Sequence, residues 1–304
     1  MSAKNYRDSG LCGIIPVMKP QGWTSFDVVA KLRGLLKTRR IGHGGTLDPM
    51  AEGVLPVFVG KAAKCCDILP DKRKSYTAGF RLGEKTDTLD ITGNILSRCG
   101  KAVSADEINA ILPEFTGEIM QVPPMFSAVK IDGRKLCDIA RKGETVERKA
   151  RQVFVESIGL AAYDESRREG VLRIDCGKGT YVRTIIDDLG ERLGAGGVMT
   201  SLLRTYSGGF SLEECLTLER IAESCAAGRG GDLLLPTDAA FKLYPEARLG
   251  ERETAMYKNG VRLRREQVEL SCEAETCRVY GADGDFLGLG GMKDGEFVSV
   301  KNFF

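Results

Sequence analysis

The chain of 304 residues contains a single histidine, His43, and a single tryptophan, Trp23. Its ten cysteines never form a Cys-x-x-Cys pair, so the ligand pattern of a structural zinc site is missing. They are scattered, with only Cys65 and Cys66 adjacent, and are expected to be free thiols in or near the core of a cytoplasmic protein. No apolar run approaches the roughly 20 residues that span a bilayer. The opening MSAKNYRDSG lacks the apolar centre of a signal peptide. There is no internal repeat and no low-complexity tract. These absences speak against a membrane-spanning run and against a structural zinc site.

Apolar residues make up 42% of the chain, enough for a core and too many for a disordered polypeptide. The length leaves room for two domains. The formal net charge of +2 conceals an asymmetry. Residues 1–151 carry 25 Lys and Arg against 17 Asp and Glu, and the remainder 19 against 25. Basic clusters recur in the first part: Lys31 to Arg40, Lys72-Arg73-Lys74, and Arg134 to Lys142. Such runs are often a solvated face, but two of them flank the His43 segment and Tyr76, which favours a phosphate-tracking surface.

Periodicity supplies the elements. Thr24-Ser25 reads as an N-cap for a helix with Val28, Val29, Leu32, Leu35 and Leu36 as its apolar stripe. Tyr76–Leu82, Met125–Ile131, Val153–Leu160 and Val171–Cys176 read as strands. Ser104-x-x-Glu107 is a capping box opening a second helix. Asp132-Gly133 reads as a turn, with a short helix from Leu136 to Arg141 after it. Val182–Leu193 reads as a helix with Ile185, Ile186, Leu189 and Leu193 on one face. Strands and helices mix without a βαβ repeat, which predicts an α+β fold with a mixed, largely antiparallel sheet. Character changes near Tyr244-Pro245. Short strands separated by Asp283-Gly284 and Asp294-Gly295 then predict a small β domain, giving expected domains of 1–243 and 244–304.

The densest segment is Arg39–Gly60. It places His43, then Asp48-Pro49 among Gly42, Gly44, Gly45 and Gly53, ahead of the apolar run Val54–Val59, which reads as a buried strand. Proline biases Asp48 to an extended backbone, and glycines permit positive φ and close approach. A loop of this kind holds one carboxylate at the floor of a cleft, although Asp-Pro alone is also an ordinary turn.

The string Gly42-His-Gly-Gly-Thr-Leu-Asp-Pro-Met-Ala-Glu-Gly-Val-Leu-Pro56 resembles the catalytic motif of the TruB family of tRNA pseudouridine-55 synthases. Three further blocks resemble that family in its own order: Lys19 to Ser25; Lys74-Ser75-Tyr76 with Arg81 to Thr88; and Cys176 to Gly190. The resemblance implies the pseudouridine synthase fold, with a central cleft. The C-terminal part resembles a PUA domain, an RNA-binding pseudobarrel. The implied activity is isomerisation of a uridine in the T-loop of tRNA to pseudouridine, with no cofactor, no metal and no protein partner, by a monomer.

The resemblance also implies roles. Asp48 is the carboxylate acting at ribose C1′, as nucleophile or by stabilising positive charge. Arg183 keeps that carboxylate ionised. Tyr76 lies against the target base. Tyr181 orients groups in the site and Leu203 flanks the flipped base, with core packing as the plain reading of both. His43 stacks in the RNA where the nucleotide has left, offsetting part of the flipping cost of a few kcal/mol. Lys19 and Lys130 are phosphate or structural contacts. Gly177-Lys178-Gly179-Thr180 lacks the spacing of a phosphate loop, and Asp87 with Asp90 reads as a polar connection, not a metal pair. Met18, Glu52 and Cys137 depart from the family pattern without removing a catalytic group. Other readings are a different RNA target, a guide-dependent enzyme, an RNA chaperone, or a hydrolase releasing uracil.

Overall fold

The computed structural model describes residues 10–304, so the opening residues read above as lacking a signal-peptide centre mostly lie outside the described residues. In chain order the elements begin with β1 (Gly13–Lys19), α1 (Ser25–Leu35), β2 (Ile41–His43), β3 (Glu52–Val59), β4 (Lys74–Leu82), β5 (Glu84–Thr86) and β6 (Ile95–Arg98). Next come α2 (Ala105–Ile111), β7 (Gly117–Gln121), β8 (Lys130–Ile131), β9 (Arg134–Lys135), α3 (Leu136–Ala140), β10 (Arg151–Asp164) and β11 (Glu169–Cys176). They are followed by α4 (Val182–Arg192), β12 (Gly197–Ser207), β13 (Phe210–Ser211) and α5 (Leu218–Ala226). The last are β14 (Glu246–Arg248), α6 (Glu251–Lys258), β15 (Leu263–Arg264), β16 (Glu269–Leu270), β17 (Cys277–Tyr280), β18 (Phe286–Lys293) and β19 (Glu296–Asn302). The fold is α+β with a large mixed sheet and a second, curled C-terminal sheet, as expected from the sequence. No helix among the described residues is long and apolar enough to cross a membrane.

The chain divides into two compact units. One comprises the chain through Asp48, then Val54–Asp71 and Ser207–Phe304. Its α1 starts as read: the Thr24 hydroxyl accepts from the Asp27 N–H, and the Asp27 carboxylate accepts from the Thr24 N–H. The helix buries Val28, Val29 and Leu32 among Ile15, Val17, Leu55, Val57 and Val59. Each such side chain contributes roughly 1.5–3 kcal/mol by leaving water. At the chain's end six strands run in the order β15-β19-β18-β17-β14-β16. Tyr257 of α6 is buried with Leu263, Val279 and Phe297 in this sheet's own core. The helix was not expected, because its sequence ERETAMYK shows little apolar periodicity. A second cluster joins Phe286, Leu289 and Phe303 to Ile14, Phe58 and Phe241.

The other unit comprises Pro49–Gly53 and Lys72–Tyr206. Its antiparallel strands run β4-β11-β10-β7, with β12 on the other side of β4. The first residues of β3 pair parallel to β12, Glu52 with Leu203 and Gly53 with Arg204. Gly53 has φ 107°, and a Cβ there would collide with the Arg204 main chain. Helix α4 buries Ile185, Ile186 and Leu189, with Leu193 at its C-cap, as its spacing predicted. Its Gly190 lies against the backbone of Gly197, where a Cβ would again collide.

Two expectations are corrected here. The strand expected over Met125–Ile131 is confined to Lys130–Ile131, whose hairpin turns at Asp132-Gly133 with φ 48° and 79°. Pro123-Pro124, lacking N–H donors, precedes an irregular stretch in which the Ser127 N–H donates to Met125 O. No element was expected over Gly197–Ser207, yet this is β12. The fully buried Arg204 interrupts the apolar alternation that would have announced it.

Asp187 and Asp188 lie side by side on α4, with Lys85 Nζ 3.5 Å from Asp187 and 2.9 Å from Glu191. Burial, and then the neighbouring Asp187 charge, push the Asp188 carboxyl up from 3.8 to about 6. Between those values the folded chain keeps a proton that the unfolded chain has lost, so stability falls as pH rises through that window. Asp188→Asn is expected to add about 1 kcal/mol near pH 7.5 and nothing near pH 4, read as Tm at both pH values. Gly53→Ala is expected to lower stability by roughly 2–4 kcal/mol, read by denaturant unfolding.

Candidate active site

The first unit carries Lys19, His43 and Asp48; the second carries Tyr76, Lys130, Tyr181, Arg183 and Leu203. Asp48 lies in the loop between β2 and β3. The loop's entry is tied down where His43 pairs with Val57 and the Gly44 N–H donates to Pro56 O at 2.8 Å. Its centre is held by Ser25, the first residue of α1. The Ser25 hydroxyl accepts from the Leu47 N–H at 2.9 Å and donates to Leu47 O at 3.3 Å. Ser25 and Leu47 are both buried. The residue before Asp48 is therefore fixed through both of its main-chain polar groups. Gly45, with φ 114°, makes the bend that precedes it. By sequence Ser25 belongs to a helix cap and to the Lys19–Ser25 block; its partner is 22 residues away, and no local pattern announces that.

Lys19, at the end of β1, is fully buried, and its ammonium donates to Pro20 O at 2.9 Å. His43 and Asp48 are half-buried.

In the second unit Tyr76 is buried on β4, opposite Ile174 of β11. Leu203 is half-buried on β12. Arg183, in the first turn of α4, is only 4% exposed. Its guanidinium donates to Thr88 O at 3.0 Å and Phe126 O at 2.9 Å, and lies 3.8 Å from the Asp90 carboxylate. A cation is disfavoured at a helix N-terminus, and this ring of acceptors offsets that cost. Asp90 is held in turn: its Oδ1 accepts from the Thr88 hydroxyl and from the Thr92 N–H and hydroxyl. Asp87 accepts from the Asn94 N–H and side-chain amide. Both carboxylates thus brace the turn between β5 and β6, which is the polar connection expected. Among the described residues no cluster of His, Cys, Asp and Glu has metal-binding geometry.

Tyr181 is the N-cap of α4. Its N–H donates to Gln121 Oε1 at 3.0 Å, and its carbonyl accepts from Gln121 Nε2 at 3.3 Å. The buried Gln121, absent from the sequence reading, thereby ties the end of β7 to the start of α4. Lys130 is exposed on the β8–β9 hairpin. Gly177–Thr180 forms a turn after β11, closed by the Thr180 hydroxyl donating to Gly177 O at 3.2 Å.

Residues 33–182 match the TruB family pseudouridylate synthase N-terminal domain, and residues 183–242 match the tRNA pseudouridylate synthase B C-terminal domain. The chain is 44% identical over 257 residues to tRNA pseudouridine synthase B of Lactiplantibacillus plantarum, covering 82% of this chain and 84% of that protein. It is 37% identical over 292 residues to tRNA pseudouridine synthase B of Clostridium kluyveri, covering 96% and 99%. Among solved structures it resembles a chain of a Cbf5–Nop10–Gar1 complex, with a TM-score of 0.73 and 26% identity over 99% of this chain and 92% of that one. A buried tyrosine on β4, a caged arginine opening α4, and an aspartate loop clamped to α1 therefore occur in a chain that belongs to the TruB family of pseudouridylate synthases.

Proposed function

We propose that the protein isomerises a uridine of tRNA, position 55 in the T-loop, to pseudouridine, acting in the cytoplasm as a monomer without cofactor or protein partner. The observation that carries this reading is the clamped Asp48 loop, in a chain 37% identical over 96% of its length to a tRNA pseudouridine synthase B. The reaction breaks the bond between ribose C1′ and uracil N1, turns the base, and joins C1′ to C5. The C5 proton is then lost to a base and N1 takes up a proton, so atoms balance without a second substrate. Asp48 is assigned to the sugar, either attacking C1′ or stabilising positive charge there as the glycosidic bond breaks.

Tyr76 is assigned to the base, and Arg183 to the charge of the carboxylate. His43, Tyr181 and Leu203 are assigned to the flipped nucleotide and its vacated place, and Lys130 to phosphate. Lys19, buried at the end of β1, takes the structural half of its reading. Residues 244–304 are assigned as a PUA-like RNA-binding domain.

Asp48→Asn is expected to abolish pseudouridine formation while leaving RNA binding within about threefold. Pseudouridine mapping on an unmodified tRNA transcript, with no added metal or cofactor, reads the first, and filter binding the second. One new T-loop pseudouridine that disappears in the variant supports the reading. Free uracil would instead indicate a hydrolase, and tight binding without modification a chaperone or another RNA target. Ser25→Ala, which removes both hydrogen bonds to Leu47, is expected to lower stability by about 1–2 kcal/mol. It should also slow single-turnover isomerisation more than tenfold at unchanged RNA affinity, since the loop loses its register.

A further inference from the structure

Lys74 opens β4, two residues before Tyr76, and both side chains leave the strand on the same face. Its cross-strand partner on β11 is Cys176, and β12 on the other side supplies the fully buried Arg204. Lys178, in the turn after β11, adds a further positive charge. Among the described residues no carboxylate forms an ion pair or hydrogen bond with Lys74. Asp175, next to Cys176 in sequence, belongs to the opposite face of β11 and accepts from the Ser157 hydroxyl at 2.7 Å. The Cys176 thiol, pushed up to about 11 chiefly by burial, is neutral at physiological pH and offers no counter-charge.

A largely desolvated ammonium beside two other cations is unfavourable by itself. Burial foremost, then the Arg204 charge, lower the Lys74 ammonium from 10.5 to about 8. Nothing in the sheet compensates this, so the compensation is assigned to the substrate. Resting on the activity proposed above, we propose that Lys74 is a substrate-contacting residue that holds a negative charge of the RNA next to Tyr76.

Two parts of the substrate carry such a charge. One is a backbone phosphate. The other is the detached uracil: heterolysis of the C1′–N1 bond leaves the electron pair on N1, delocalised over O2 and O4, until C5 bonds to C1′. The ammonium donates a hydrogen bond to either and gives up no proton. A fixed donor aimed at charge that develops during reaction is a strong source of catalysis.

The test compares full-length wild type, Lys74→Met and Lys74→Arg on an unmodified tRNA transcript. Single-turnover rates are followed from pH 6.5 to 9.5, and affinity is measured across salt concentrations. Melting curves establish that the variants fold. At subsaturating concentrations, where the rate reports the free protein, wild-type activity is expected to fall as pH rises through about 8, where the ammonium is lost. Lys74→Arg should retain most activity and carry the plateau to higher pH. Lys74→Met should lose at least tenfold. A loss of affinity with the salt slope reduced by about one identifies a phosphate. A loss of rate at constant affinity identifies the uracil anion. Folded Lys74→Met with wild-type rate, affinity and pH profile overturns the inference. If wild type forms no pseudouridine, the functional reading fails, and the Lys74 inference is then decided by affinity and salt slope alone: an unchanged pair overturns it.

Discussion

Taking an arginine out of water demands acceptors, and Arg183 draws them from three places in the sequence. Thr88 and Phe126 each turn a main-chain carbonyl to the guanidinium, and Asp90 supplies a carboxylate nearby. A buried guanidinium lacking such partners costs several kcal/mol, so the cation dictates the path of two segments without regular structure of their own. The turn between β5 and β6 is braced from within by Asp87 and Asp90, and the stretch after Pro123-Pro124 follows the acceptor at Phe126. Helix α4 is held at the same end by Gln121, which satisfies both polar main-chain groups of its N-cap residue, Tyr181. The charged side chain thus anchors the helix start to two loops, and the neutral amide anchors it to the edge strand β7.

The same device recurs around Asp48. Ser25 grips Leu47 through the main chain, so the loop's position is set one residue before the aspartate without drawing on its side chain. In both places a buried polar group far away in sequence does the positioning. Hydrogen bonds of this kind are worth about 1 kcal/mol net each, but a buried group left without its partner costs more. Rigidity of the site therefore follows from polar satisfaction as much as from apolar packing.

The positions at which this chain departs from the family pattern lie at the margins of that framework. Met18 is half-buried in β1, Cys137 lies on the short α3, and Glu52 opens β3 opposite Leu203. None of them makes the hydrogen bonds that hold Asp48, Tyr181 or Arg183.

Much of this was legible in the sequence, because it is written in local physics. The capping boxes at Thr24 and Ser104, the turn at Asp132-Gly133 and the apolar face of α4 depend on residues within one or two turns of each other. The string around Asp48 likewise pointed to a family, since its residues stand in that family's order. What only the tertiary structure decided has partners distant in the chain. Ser25 meets Leu47, Gln121 meets Tyr181, and Arg183 meets Thr88 and Phe126. Strand β12 escaped notice because Arg204 breaks its apolar pattern, and a charged residue reads as surface until neighbouring strands enclose it. Lys74 likewise reads as one of three surface cations, and only β11 and β12 on either side make it a desolvated one. The sequence determined which side chains are present and how each segment coils. Burial, and with it the meaning of a charge, was decided by which strands came to lie side by side.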